Sequence, residues 1–115
     1  MTATQTPTTD GLESFSDLST FQQEALLAIA KLEGANTASY GLAIKRQLED
    51  VYNSDVNHGR LYPNLDDLVT DGLVEKTALD KRTNEYTLTE HGEQFLCEQR
   101  DRVAAILDDY QDATA

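Results

Sequence analysis

The sequence has little positive charge, one cysteine and no long apolar run, and each shortage excludes a class of protein. Nine Lys and Arg residues stand against 21 Asp and Glu residues, which gives a formal net charge of −12 over 115 residues. The longest run without a polar residue, Ala25–Ala30, is far shorter than the ~20 residues of a membrane-spanning helix. One cysteine cannot form an internal disulfide, and with two histidines it cannot complete a structural zinc site. The sequence therefore predicts no membrane span, disulfide framework or metal centre.

Catalytic signals are also missing. The six glycines are isolated from one another, so the chain has no glycine-rich phosphate-binding loop. No nucleophile–base pair can be recognised either. Residues 1–10 carry neither a basic residue nor an apolar run, so they do not resemble a secretory signal. We therefore expect a non-enzymatic, cytoplasmic protein that needs no cofactor, and the length favours a single domain.

The excess of acid has three interpretations. An acidic chain can be disordered, but the apolar residues here recur in periodic blocks, which argues against disorder. The carboxylates can form a surface for a partner, or they can adapt the protein to very high salt by keeping hydrated cations close. Because they are scattered along the whole chain rather than collected in blocks, the pattern favours high-salt adaptation. We therefore expect potassium or other cations at the acidic surface.

The N-terminal third of the sequence predicts a tail, a short lead-in and a first helix. Residues 1–11 are rich in Thr and lack periodicity, so we expect a disordered tail. Apolar residues then recur every third position over residues 12–18. Ser19 and Gln22 have the spacing of a capping box, and the apolar face that follows predicts a helix over about residues 20–33.

Two further helices follow, separated by a turn. A cap at Thr37 or Ser39 would start a helix that runs to about Tyr52, and Asn57 would cap a third helix that closes at Gly72. Their inward stripes are expected to be Tyr40, Ile44 and Leu48, and then Leu61, Leu65 and Leu68.

The spacing of the apolar residues changes after the third predicted helix. Residues 73–77 and 85–89 read as short strands joined by a polar loop over residues 80–84, which predicts a β-hairpin. Thr89 can cap a last helix that runs to about Tyr110. Three helices, a hairpin and a helix predict a mostly α fold with a small β-hairpin (α+β), a winged helix-turn-helix with a C-terminal dimerisation helix.

Two runs resemble a known family. Leu-Tyr-Pro-x-Leu-x-x-Leu-x-x-x-Gly-Leu-Val over residues 61–74 and Tyr-x-Leu-Thr-x-x-Gly over residues 86–92 are similar to the PadR family of transcriptional regulators. With Tyr40-Gly41 and Leu48-Glu49, the resemblance extends over about residues 20–100. It implies a dimeric winged helix-turn-helix DNA-binding regulator, in most members a repressor. The acidic composition is similar to that of haloarchaeal members.

The few basic residues concentrate on the elements that a winged helix presents to DNA. They lie on the outer face of helix two, at the start of helix three and at the wing tip, where positive charge can meet phosphates. Arginine also suits guanine edges and asparagine suits adenine edges. The predicted DNA-contacting residues are Lys45, Arg46, Asn57, His58, Arg60, Tyr62, Asn64, Lys81 and Arg82.

Five of these residues have ordinary structural alternatives. Lys45 and Arg46 can form a solvated face that pairs with the acidic residues one turn later. Asn57 can serve only as a helix cap, and His58 can be a turn residue without a special role. Tyr62 can bind a phosphate or pack beneath the recognition helix. Asp66-Asp67 also stand where family members often carry basic residues.

The last helix carries an apolar stripe that a small fold has no room to cover. A partner helix from a second subunit would cover it, although packing on its own core is the alternative. The predicted dimerisation residues are Leu12, Phe15, Phe21, Leu96, Val103, Ile106, Leu107 and Tyr110. Such a homodimer would bind a pseudo-palindromic operator in double-stranded DNA. Residues 12–89 would then form the DNA-binding domain, and residues 90–115 the dimerisation helix with a short tail.

The sole thiol has two interpretations. Cys97 can be a small buried hydrophobe, or it can sense redox state, although nearby Glu93, Glu98 and Asp101 disfavour a reactive thiolate. A metal site that combines Cys97 with the two histidines has no supporting ligand spacing. We expect a homodimeric DNA-binding regulator, stress- or redox-responsive in one version of this hypothesis. The alternative is a winged-helix protein-interaction module that does not bind DNA.

Overall fold

The computed structural model describes residues 12–115, so the tail predicted over residues 1–11 lies outside the described residues. A short 3₁₀ turn over Phe15–Asp17 precedes the regular elements. These elements are α1 (Thr20–Gly34), α2 (Gly41–Tyr52), α3 (His58–Thr70), β1 (Val74–Ala78), β2 (Asn84–Leu88) and α4 (Glu90–Thr114). The order and the bounds confirm the winged helix-turn-helix prediction, with each strand displaced by one residue and α4 longer than expected.

Local side chains explain three of the four helix starts. Ser19 and Gln22 form the predicted capping box of α1. The Asn57 side chain accepts a hydrogen bond from the Arg60 amide at the start of α3. The Thr89 hydroxyl accepts one from the Gly92 amide at the start of α4. Each of these side chains satisfies an amide that the helix itself leaves unpaired.

The predicted cap of α2 is wrong. Tyr40 occupies the cap position, and it makes no side-chain cap hydrogen bond. The Ser39 hydroxyl instead donates to the Tyr86 carbonyl, and the Tyr86 amide donates to the Ser39 carbonyl. Ser39 therefore holds the segment before α2 against the edge of β2, a tertiary role that local sequence does not reveal. Tyr40 is also exposed rather than part of the inward stripe.

The core lies between the three helices and one face of the hairpin. The inward stripe of α3 is fully buried, as are Ile44 and Leu48 of α2. Tyr86 of β2 and Phe95 of α4 close the core from the other side. Burial of these side chains is the main favourable term for the fold.

A close approach joins the recognition unit to α4. Gly72 adopts φ 78°, a conformation that favours glycine, and turns the chain out of α3. The Thr89 amide donates to the Leu73 carbonyl at 3.1 Å, and the Thr89 hydroxyl donates to the Gly72 carbonyl at 2.6 Å. A Cβ at Gly92 would lie 2.1 Å from the Leu73 carbonyl oxygen, so only glycine lets α4 start here.

Beyond the core, α4 projects away from the rest of the described chain. Its first half packs through Gly92 and Phe95, whereas every residue from 101 to 115 is exposed. Among residues 12–115, no helix is both long enough and apolar enough to cross a membrane.

Candidate nucleic-acid interface

Helix α3 has two lateral flanks that carry different predicted site residues. The flank toward α2 carries His58 and Tyr62, whose rings stack with centroids 5.4 Å apart. Tyr62 reaches across to the first residue of α2, since a Cβ at Gly41 would lie 2.6 Å from its hydroxyl oxygen. Glycine at position 41 therefore makes room for the tyrosine, which leaves its hydroxyl at the start of α2.

The flank toward α1 carries Arg60 and Asn64. The Arg60 guanidinium lies 4.1 Å from the centre of the Phe21 ring and 6.0 Å from that of Tyr52. Stacking of this kind by an exposed arginine is worth about 0.5–1 kcal/mol. In this conformation Arg60 lies against the body of the domain rather than extending away from it.

Among the residues predicted to contact bases, Asn64 has the least support from the structure. Its side-chain oxygen accepts from Gln22 at 3.0 Å, and its side-chain nitrogen donates to the Arg60 carbonyl at 2.7 Å. The bond with Gln22 joins α3 to α1, and the bond with Arg60 lies within α3, so both ends of the amide are engaged. A base contact by Asn64 would first have to break these bonds, and it stays a prediction.

The two basic residues of α2 behave differently from one another. Lys45 donates to Glu49 at 2.7 Å, the alternative that its helical spacing allowed. That bond and a second from the Val56 amide hold the pKa of Glu49 below its ordinary value. The ammonium group of Lys45 is therefore engaged in this conformation, which favours that alternative, and a contact of Lys45 with DNA stays a prediction. Arg46 is exposed, with no ion pair to any residue from 12 to 115.

The wing presents its basic residues from a fixed turn. The Asp80 carboxylate accepts from the Arg82 amide at 2.8 Å and from the Thr83 amide at 2.9 Å. These bonds lower the pKa of Asp80, so the turn is held at neutral pH. Lys81 and Arg82 at its tip are exposed.

A groove connects the wing to the helices. It has a volume of about 320 Å³, and its lining residues are Tyr40, Gly41, Leu42, Tyr62, Arg82, Thr83 and Asn84. The uncapped start of α2, a tyrosine hydroxyl and an arginine thus meet in one concave surface. This combination of donors suits a phosphate of a nucleic-acid backbone. Sequence reasoning missed Tyr40 and Asn84 here, because only the fold brings them to the groove.

Acidic side chains also lie on this side of the domain. Asp66 and Asp67 are exposed on α3, and Lys76 of β1 lies 3.4 Å from Asp66. Asp71, which directly follows α3, is only 9% exposed. Burial raises the pKa of Asp71, and the charge of Asp67 adds to that rise. The acidic surface beside α3 therefore consists of Asp66 and Asp67.

The predicted dimerisation residues divide into three groups. Phe15 and Phe21 are 7% and 4% exposed, so the chain's own core covers them and their assignment to a dimer contact is wrong. Leu12 and Leu96 are partly buried against the same core. Exposed positions on α4 are Val103, Ile106, Leu107 and Tyr110.

The sole thiol is half-buried in a groove next to the same helix. Cys97, Arg100 and Glu93 line this groove with residues from α1 and β2. Within the described chain, no group of His, Cys, Asp and Glu side chains could hold a metal ion.

The matching family model is that of the transcriptional regulator PadR-like family, over residues 26–98. The chain belongs to this family. PadR-like proteins are DNA-binding transcriptional regulators and not enzymes, and the four helices with a two-stranded antiparallel hairpin are the winged-helix fold of such regulators.

Solved structures support the same assignment. RosR from Halobacterium salinarum, in crystals grown from NaBr, is 47% identical and has a TM-score of 0.66, with 84% of this chain and 96% of that chain covered. The hsRosR–S1 complex is 44% identical with a TM-score of 0.68, and covers 90% of this chain and 100% of that chain. A transcriptional regulator from Thermoplasma acidophilum is 21% identical with a TM-score of 0.53 over 83% of this chain and 94% of that one, which shows the fold alone. The search of curated proteins found no match.

Proposed function

We propose that this PadR-like regulator is a cytoplasmic homodimer that binds a specific, pseudo-palindromic DNA site and represses transcription at high salt. The observation that carries the proposal is the division of its basic side chains. Three basic residues form ion pairs, namely Lys45, Lys76 and Arg100. Apart from Lys45, the basic residues of the DNA-facing elements form no ion pair with any residue from 12 to 115. These residues are Arg46, Arg60, Lys81 and Arg82.

The docking follows the geometry of a winged helix. Helix α3 enters the major groove, and the wing contacts the backbone beside it. The Tyr62 hydroxyl and Arg82 bind a phosphate in the groove at the start of α2, while Asn57 and His58 approach the DNA from the first turn of α3. Arg82 lies beside the minor groove, whose negative potential attracts it.

Arg60 reads a base edge after leaving the Phe21 ring. The stacking it gives up is worth about 0.5–1 kcal/mol, whereas a bidentate bond to guanine discriminates by about 1–3 kcal/mol. The free energy associated with the base contact is therefore larger than the free energy of the stack that is lost. The stack holds the guanidinium against Phe21 of α1 until DNA is bound.

The dimer forms through the exposed face of α4, in keeping with a division into a DNA-binding domain over residues 12–89 and a dimerisation helix over residues 90–115. Cations such as potassium lie between Asp66, Asp67 and the phosphates, because like charges brought together need screening. A stress- or redox-responsive role would depend on Cys97, the one thiol of the chain.

A selection of genomic DNA fragments in molar potassium chloride tests this function. The wild-type protein should enrich fragments with two-fold symmetric half-sites about one helical turn (~10 bp) or a multiple apart. The double variant Lys81→Ala/Arg82→Ala should lose all fragments alike. A chain that ends at Gln99 should sediment as a monomer and enrich none. No enrichment by the wild-type protein would favour the interaction-module alternative.

A further inference from the structure

Arg60 lies on a pair of aromatic rings that belong to two other helices. Phe21 is in the first turn of α1, Tyr52 is the last residue of α2, and their rings stack with centroids 6.1 Å apart and planes 12° apart. The Arg60 guanidinium is 4.1 Å from the centre of the Phe21 ring and 6.0 Å from that of Tyr52. Phe21 is buried in the core, and Tyr52 packs against that core. Core packing therefore holds both rings in place, and we call the pair Phe21 and Tyr52 the aromatic dock.

Local hydrogen bonds fix the backbone of Arg60, so only its side chain is free to move. The Arg60 amide donates to the Asn57 side chain at 3.1 Å, and the Arg60 carbonyl accepts from Asn64 at 2.7 Å. Asn64 in turn accepts from Gln22 of α1 at 3.0 Å. Arg60 is exposed, and its guanidinium forms no ion pair with any residue from 12 to 115. Transfer of the guanidinium from the aromatic dock to DNA therefore needs only rotation about side-chain bonds.

The aromatic dock gives Arg60 a partner at DNA sites that offer it no base contact. A guanidinium that is pressed against a base edge without acceptors loses its water and gains no hydrogen bond in return. On the aromatic dock this cost is avoided, because the face of the ring stabilises the cation. We propose that Phe21 and Tyr52 are specificity-determining residues, which hold Arg60 on the protein at DNA sites that lack its cognate base pair. The inference rests on the proposed base contact of Arg60 and extends it to DNA without that base pair.

The strength of the aromatic dock sets the discrimination at one base pair of each half-site. On cognate DNA, Arg60 gains the base contact and gives up the stack, so the stack weakens cognate binding. On other DNA the side chain stays docked as in the free protein, so the stack makes no difference to affinity. Loss of the stack should therefore raise the affinity for cognate DNA alone, roughly two- to fivefold.

A double-mutant cycle of Phe21 and Arg60 tests this role. One probe is a duplex with the half-sites recovered by the genomic selection, and the other is the same duplex with the base pair at which Arg60→Ala relaxes preference replaced. Phe21→Leu keeps an apolar side chain in the core but removes the ring, so it should bind the first duplex roughly two- to fivefold more tightly and the second duplex as the wild type does. In the Arg60→Ala background, Phe21→Leu should change neither affinity.

Two further variants separate the aromatic dock from core packing. Tyr52→Leu removes the more distant ring from a partly buried position, so it should give a smaller gain of the same sign, and it serves if Phe21→Leu fails to fold. Phe95→Leu makes the same replacement in the same core but on α4, and should change neither affinity. A loss of cognate affinity in Phe21→Leu, an equal gain on both duplexes, or a gain that persists without Arg60 would overturn the inference.

Nuclear magnetic resonance follows the guanidinium directly. Protons above the face of an aromatic ring are shifted upfield, so the Arg60 side-chain signals, assigned from their loss in Arg60→Ala, should show this shift in the free protein. The upfield shift should persist with the second duplex and disappear with the first. Its disappearance with both duplexes would overturn the inference but leave the base contact intact. Equal affinity of the wild-type protein for the two duplexes would instead refute the proposed base recognition itself.

Discussion

The winged-helix body, which ends with the first half of α4, buries its apolar side chains, whereas the second half of α4 leaves similar side chains exposed. In the body, Leu26, Ile29 and Leu65 are fully buried by neighbouring elements of the same chain. In the second half of α4, Ile106 and Leu107 stand about half exposed. Residue type is the same in both regions, so the difference lies in what faces each side chain. The body is a folding unit, and the end of α4 is a surface available for binding.

The test with the largest expected effect replaces one apolar residue in each half of α4. Phe95→Ala should lower the free energy of unfolding by about 3–5 kcal/mol, because it opens a cavity in the core. Ile106→Ala should leave the unfolding of the monomer nearly unchanged and weaken dimerisation instead. Chemical denaturation of dilute protein and sedimentation at several concentrations separate the two effects. Similar losses of monomer stability for both variants would refute the contrast.

The next test concerns the junction where the body meets α4. Gly92→Ala should cost about 3 kcal/mol, because the new Cβ would collide with the Leu73 carbonyl and push α4 off the hairpin. Gly34→Ala is the matched control, since nothing lies within 4 Å of the Cβ it adds. Thermal unfolding should show a large drop in Tm for the first variant and little change for the second. Equal Tm values would mean that the junction tolerates a side chain.

Local patterns predicted the elements well because their causes are local. Ser19, Asn57 and Thr89 cap the helices they precede, and each cap depends on residues no more than three positions away. The periodicity of apolar residues located the core in the same way. Tertiary partners could not be predicted by these means. The bond from Ser39 to Tyr86 and that from Gln22 to Asn64 span 47 and 42 residues, so only the folded chain shows them.

The candidate site shows the same limit. The basic residues lie on α2, on α3 and in the turn of the hairpin, as the sequence predicted, but the sequence could not tell which of them the fold already engages. Lys45 has a carboxylate partner one turn away, whereas Arg46 beside it has no ion pair within the described chain. Phe15 and Phe21 looked like dimer contacts because the core that covers them is assembled from distant segments.

A smaller effect separates DNA binding in the body from dimerisation at α4. Arg60→Ala should cost roughly 1–3 kcal/mol on the specific site and relax preference at one base pair per half-site. Lys81→Ala or Arg82→Ala should weaken specific and random DNA alike, since these residues bind the backbone. All three variants should sediment like the wild-type protein. Equal losses of Arg60→Ala on specific and random DNA would refute base recognition.

The smallest expected change is in the salt dependence of DNA affinity. It again contrasts the body with the end of α4. Phosphate contacts from Arg46, Lys81 and Arg82 would give a slope of log affinity against log salt of roughly −2.7 per subunit, because each contact releases condensed cations. Asp66 and Asp67 act in the opposite direction, since their approach to phosphates takes up screening cations. Lys76 neutralises part of the charge of Asp66, and within residues 12–115 it forms no ion pair with Asp67. We therefore expect affinity to stay flat or to rise with potassium chloride into the molar range.

Replacing the two carboxylates tests this balance. Asp66→Asn/Asp67→Asn should restore a negative slope, because cation release from the basic contacts is then no longer offset. Asp108→Asn/Asp112→Asn removes the same charge from exposed positions at the end of α4, away from α3, and should keep the wild-type slope. The measurement is a titration of a defined operator at several molar salt concentrations for all three proteins. If wild-type affinity falls steeply and in parallel with the first variant, the carboxylates beside α3 do not control the salt response. If both variants change the slope equally, net charge rather than position is responsible, and the body and the end of α4 do not differ in this respect.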